Sequence, residues 1–171
     1  MIFGRCAVAA GATMGKLTAN FTLDEFTQSD TAIDRGISNV PTVDELANIV
    51  TVAERLQAVR DFLNEALTDP VWLQITSGFR CEALNVAVGG SATSDHRTGL
   101  AADFKAWRAD GRAISPKVLM RVVEELGGFD QAIFYPGQTR IHVGYGPKMR
   151  AAMLQKSASG YETYDPNGGP R

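Results

Sequence analysis

The segment "SATSDHRTGLAADF", Ser91–Phe104, carries His96 and, seven residues later, Asp103; the chain's other histidine is His142, inside "TRIHVGYG". Two imidazoles and one carboxylate can bind a metal and leave a fourth position open for water, the arrangement of catalytic zinc. Asp103 sits in the otherwise apolar run "LAADF", where a carboxylate is costly unless it is paired or bound to a cation. His142 lies between Ile141 and Val143, in a run that reads as a strand with alternating faces. Spacing alone leaves a second reading open, in which His142 is a satisfied strand histidine and Asp103 a local cap. A helix across this stretch is disfavoured by Gly89, Gly90 and Gly99. A loop at His96 leading into a strand at Asp103 is expected instead.

The elements that must position these residues can be read from periodicity. In "NVPTVDELANIV" Thr42 and Glu45 have capping-box spacing. Leu46, Ile49, Ala53, Leu56, Val59 and Leu63 then recur at steps of three and four, predicting a long helix over about 43–67. Thr22 and Glu25 in "FTLDEF" predict a short helix by the same device. Pro70 ends the long helix, and residues 72–76 read as a strand turned by Ser77 and Gly78. "CEALNVAV" reads as a short helix closed by Gly89–Gly90, and "LAADFKAW" as a strand. Ser115–Pro116 opens a helix through "KVLMRVVEEL". "QAIFY" and "RIHVGY", joined by the turn "PGQT", form a hairpin.

The chain has 171 residues, enough for one domain with a substantial core. The expected organisation is an N-terminal arm over 1–20, one domain over 21–156, and a flexible tail from 157 that is rich in Gly, Pro and Ser. Residues 1–13 read as an extension ahead of Met14, too short in apolar core for a secretory signal, although a weak export signal remains the other reading. A net charge of −2 with no basic stripe argues against a nucleic-acid partner. No apolar run approaches the roughly 20 residues of a membrane span. Cys6 and Cys81 make no C-x-x-C pair, so Cys81 is expected as a small buried hydrophobe rather than a metal ligand.

Ser94, His96, Gly99, Ala101 and Asp103 fit the S-x-H-x-x-G-x-A-x-D pattern, and this segment resembles the metal motif of the zinc D-alanyl-D-alanine carboxypeptidases and L-alanyl-D-glutamate endopeptidases. "ITSGFRCEALNVAVGG" resembles the segment upstream of that motif, and "RIHVGY" the strand that brings the family's second histidine. "FTLDEFTQSD…GISNVP" resembles the opening of the phage-type branch, so the likeness runs from about Phe21 to Tyr145. The resemblance implies a single α+β domain with a small, mainly antiparallel sheet and flanking helices, like the DD-peptidases and hedgehog domains. The metal would lie on one face of the sheet and the long helix on the other. It implies zinc held by His96, Asp103 and His142, and Arg80 facing the substrate. It further implies a peptidase acting on peptidoglycan stem peptides, as an endolysin or beside other phage tail proteins. Such a protein would reside in the phage particle, or in the host cytoplasm before lysis.

One departure matters. The family usually places Glu or Asp on the hairpin just before the second histidine, but here Thr139, Arg140 and Ile141 precede His142, and no carboxylate lies between Gln131 and His142. Tyr135 stands near where some relatives carry glutamate. Three readings stay open. Tyr135 or Arg140 stabilises the oxyanion while another group is the base; Asp130 or Asp95 is the base; or the site holds metal and turns over poorly. The last would suit a non-catalytic, metal-stabilised wall-binding or structural phage protein.

Overall fold

Thr42 and Glu45 start the longest helix by mutual capping: the Thr42 amide donates to Glu45 Oε2 at 2.7 Å, and the Glu45 amide donates to Thr42 Oγ1 at 3.3 Å. In the computed structural model, which describes residues 15–168, this helix is α3, Val43–Ala66. It follows two single-turn helices, α1 (Leu23–Thr27) and α2 (Asp30–Asp34). The chain continues through β1 (Val71–Ser77), α4 (Glu82–Ala87), β2 (Ala101–Arg108), α5 (Pro116–Leu126), β3 (Gln131–Phe134), β4 (Ile141–Gly144), β5 (Ala152–Ser157) and β6 (Gly160–Thr163). The architecture is a single α+β domain. Its six strands lie in the order β1-β2-β4-β3-β5-β6.

The expected sheet was mainly antiparallel, and one pair departs from that: β5 runs parallel to β3. A parallel neighbour needs a crossover rather than a tight turn. Here the chain passes β4 and residues 145–151 before it returns beside β3. The tail expected to be flexible from 157 instead adds β6, and Tyr164 beyond it is buried. The sign of order was the hydrophobic residues among the Gly and Ser of "MLQKSASGYETY". Of the expected N-terminal arm, residues 1–14 lie outside the described residues. Lys16 bridges to Thr22, and Leu17 packs against the core.

The sheet is covered on one side. Ile49, Val52, Ala53, Leu56, Val59 and Leu63 of α3 are buried, as are Leu119, Met120, Val122 and Val123 of α5. Val52 was absent from the predicted stripe, and Leu46, included in it, is only half-buried. The two helices pack on each other and on the strands, and alternate strand residues join this core: Val71 and Leu73, then Ala102, Phe104 and Ala106, then Ile141 and Val143. Because strand side chains alternate, the intervening residues Asp103 and His142 project from the opposite face. Cys81 is half-buried against the core, not fully buried. No helix among the described residues is long and apolar enough to cross a membrane.

Leu56, fully buried where α3 meets the sheet, gauges how much this layer contributes. Leu56→Ala should lower the unfolding free energy by about 2–5 kcal/mol, through lost transfer energy and the residual cavity, as read by urea denaturation.

Candidate metal centre

Asp103 and His142 are Cα partners in the antiparallel pairing of β2 with β4. Directly opposed side chains on one face have Cβ atoms about 4.5–5.5 Å apart, so this register alone brings the carboxylate beside the imidazole. His96 arrives from outside the sheet. It sits in a 3-10 turn, Asp95–Thr98, where sequence reasoning expected an irregular loop. Gly99 closes the turn at φ 75°, and a Cβ there would stand 2.7 Å from the Glu45 carbonyl oxygen and 2.9 Å from Ile49. The motif glycine is thus required both for its backbone angle and for the close approach of the turn to α3.

The three side chains converge. His96 Nε2 and His142 Nδ1 face each other at 3.1 Å. Asp103 Oδ1 lies 2.9 Å from His142 Nδ1 and 3.4 Å from His96 Nε2. One ligand atom from each residue falls within 4.8 Å of the others. Bonds of about 2.0–2.1 Å to a tetrahedral zinc place ligand atoms roughly 3.3 Å apart, which is the size of this triangle. The orientation fits as well. His96 Nδ1 donates to the Gly78 carbonyl at 2.6 Å, so its Nε2 lone pair points inward, the usual way an outer partner fixes a ligating tautomer. Gly78 can offer that carbonyl because its backbone presses on α1; a Cβ there would stand 2.4 Å from the Phe26 carbonyl oxygen. The three ligands are 1%, 6% and 6% exposed.

Burial by itself would raise the Asp103 pKa, but its hydrogen bonds with His142 and His96 outweigh that and hold the carboxyl well below the usual range. Burial lowers the pKa of His96, favouring the neutral, ligating imidazole. Arg140 Nη1 donates to Asp103 Oδ2 at 2.5 Å, its Nε donates to Gln138 at 2.7 Å, and its guanidinium stacks 4.8 Å over the Tyr135 ring. Burial pushes the Tyr135 phenol up to about 12, so it stays protonated and can donate. Tyr135, Arg140 and Arg80 all line the cavity of about 590 Å3 that holds the three ligands. The Arg80 amide donates to the His96 carbonyl at 3.0 Å, while its side-chain Nε is buried with no hydrogen-bond partner among the described residues. Burial lowers its pKa.

Asp130 is placed differently from these. It lines the same cavity, but Arg150 takes both its oxygens, Nε to Oδ1 at 2.9 Å and Nη2 to Oδ2 at 2.5 Å, and the Arg150 amide adds a third bond at 3.0 Å. Those bonds describe a carboxylate that ties the segment after β4 to the start of β3. Sequence reasoning did not find Gln131, whose amide lies 3.4 Å from the outer nitrogen of His142. Nor did it find Leu154 and Tyr161, which reach the cavity from β5 and β6. Their only signal was the overlooked strand pattern of the tail.

The model of the peptidase M15 family matches residues 19–144, most of the chain. The chain therefore belongs to the peptidase M15 family, whose members are metal-dependent peptidases, and the buried His96–Asp103–His142 group can hold their metal. A search among curated proteins found no match. The family match ends at the close of β4, so β5 and β6, with Leu154 and Tyr161, build a cavity wall beyond it.

Arg150 hydrogen bonds hold the Asp130 pKa below its usual value. Stabilisation from a depressed carboxyl is complete above its unfolded pKa of about 3.9 and fades as pH falls through the folded value. Because Arg150 is half exposed, the loss should be moderate: Asp130→Asn should cost about 1–3 kcal/mol at pH 7. The gap from wild type should narrow below about pH 4, measured by denaturation across pH.

Proposed function

We propose that this protein is a zinc peptidase that hydrolyses peptidoglycan stem peptides, cutting either a terminal D-Ala–D-Ala bond or the L-Ala–D-Glu bond. The observation that carries the reading is the inward-facing triangle of His96 Nε2, Asp103 Oδ1 and His142 Nδ1. Two imidazoles and a carboxylate suit zinc and leave room for a fourth ligand. Zinc in such a site supplies a Lewis acid and makes a water acidic enough to attack near neutral pH. A ligand-bearing sheet face with helices behind it is the arrangement of the DD-peptidases and hedgehog domains, and residues 21–156 would form the peptidase unit.

The protein's own groups divide the remaining work. Arg80 presents a planar donor fork to a substrate carboxylate. Tyr135 Oη–H and the Arg140 guanidinium donate to the oxygen of the scissile carbonyl as negative charge develops there. Asp95, which lines the cavity, would take the proton of the attacking water and return it to the leaving amine as the C–N bond breaks. Asp95 makes no side-chain hydrogen bond or ion pair among the described residues, whereas Asp130 is held by Arg150. We place the activity at the bacterial wall, delivered by an endolysin or a phage particle.

A second reading has one observation in its favour. The hairpin between β3 and β4 has no carboxylate, so the domain would bind the wall through a metal-stabilised cleft without cutting it. Purified protein incubated with peptidoglycan separates the two. Mass analysis of the released muropeptides should show a new amine end, abolished by chelator and restored by zinc. Unchanged peptides with one zinc bound would favour the binder. Within the peptidase, Tyr135→Phe and Asp95→Asn should each lower kcat by about 100-fold or more while zinc content by elemental analysis stays at wild type.

A further inference from the structure

A second groove opens from the metal centre along the exposed face of the sheet. Its volume is about 1050 Å3, and its walls include Arg80, Asp103 and Arg140 as well as Trp72 and Trp107. Trp72 on β1 and Trp107 on β2 are Cα partners across the strands. Trp107 lies four residues beyond Asp103 on one strand, an even step that keeps it on the ligand-bearing face about 13 Å away. The edge position of β1 leaves Trp72 43% exposed, an unusual placement for so large an apolar ring. The Trp107 indole N–H is held by Gln74 Oε1 at 3.2 Å, which steadies its ring. Neither ring takes part in the metal centre.

The other groups along the groove say what the rings face. Gln28, Ser29, Thr31 and Thr76 bring amides and hydroxyls. Apart from Arg80, Asp103 and Arg140 at its inner end, its charged groups are Glu25 and Asp30, both acidic. An acidic stem peptide would be repelled there. A neutral sugar ring is not. Its C–H face can lie on an indole, and its rim hydroxyls can meet amide, hydroxyl and carboxylate oxygens.

We propose that Trp72 and Trp107 form a saccharide subsite that holds the glycan attached to the peptide while the peptide lies at the metal. This proposal rests on the peptidase reading for its substrate, but binding can be read without catalysis. The chain has only two tryptophans, so intrinsic fluorescence reports on this subsite alone.

The test titrates zinc-loaded protein with a tetrasaccharide of N-acetylglucosamine and, separately, with a glycan-free stem peptide. The saccharide should shift tryptophan emission saturably. Trp72→Ala should weaken that binding about tenfold, and Trp72→Phe should recover much of it. In kinetics, the wild type should show a lower KM for the disaccharide-linked peptide than for the free peptide, and in Trp72→Ala the ratio of the two should move toward one. A saccharide response with no peptide cleavage would support the subsite and overturn the peptidase reading. Absent response to the saccharide, equal affinity in Trp72→Ala, or a response only to the free peptide would each overturn the subsite.

Discussion

Everything at the centre of this molecule hangs on one cross-strand register, Asp103 opposite His142. A shift of one residue between β2 and β4 would turn one partner into the core and put Ala102 or Phe104, or Ile141 or Val143, in its place. That register places a buried carboxylate where water cannot solvate it. The charge is tolerated because Arg140 and two imidazoles surround it. A buried anion with such neighbours is costly to assemble and costlier to leave half-assembled. The same economy explains why the site faces away from α3 and α5: those helices cover the face that carries Ala102, Phe104, Ala106, Ile141 and Val143.

The third ligand is held by backbone more than by side chains. Gly78 and Gly99 let two turns approach α1 and α3 more closely than any other residue would permit. The Gly78 carbonyl then fixes the tautomer of His96. The apolar layer thus does more than stabilise the fold, since α1 and α3 set the position of the loops that aim the imidazole.

The electrostatics of the cleft depart from a simple two-carboxylate plan. The hairpin between β3 and β4 carries Tyr135, stacked beneath Arg140, in place of any carboxylate, and Asp130 is committed to Arg150. Donors therefore gather around Asp103, and the carboxylate without such a commitment is Asp95, beside His96 in the sequence. The sheet extension β5–β6 adds a wall that lies beyond the family match. The family match thus covers the three residues that could hold a metal but not the whole wall of the cavity around them.

Local sequence determined the elements with strong periodicity or caps: α3 from its stripe and Thr42, α5 from Ser115–Pro116, and the β3–β4 strands around "PGQT". The resemblance of Ser91–Phe104 and "RIHVGY" to known metal-binding segments also pointed to His96, Asp103 and His142, three residues that the fold brings within 4.8 Å of one another. Tertiary structure decided what depends on partners distant in sequence. The strand pattern of the tail is visible locally, but its parallel docking on β3 follows from a sheet edge formed by distant segments. The capture of Asp130 by Arg150, 20 residues away, and the pairing of Trp72 with Trp107 across two strands are likewise invisible along the chain. The physical reason is common to all of them: periodicity and capping are short-range effects, whereas the choice of partner for a charge or a strand edge is settled only when the chain has closed on itself.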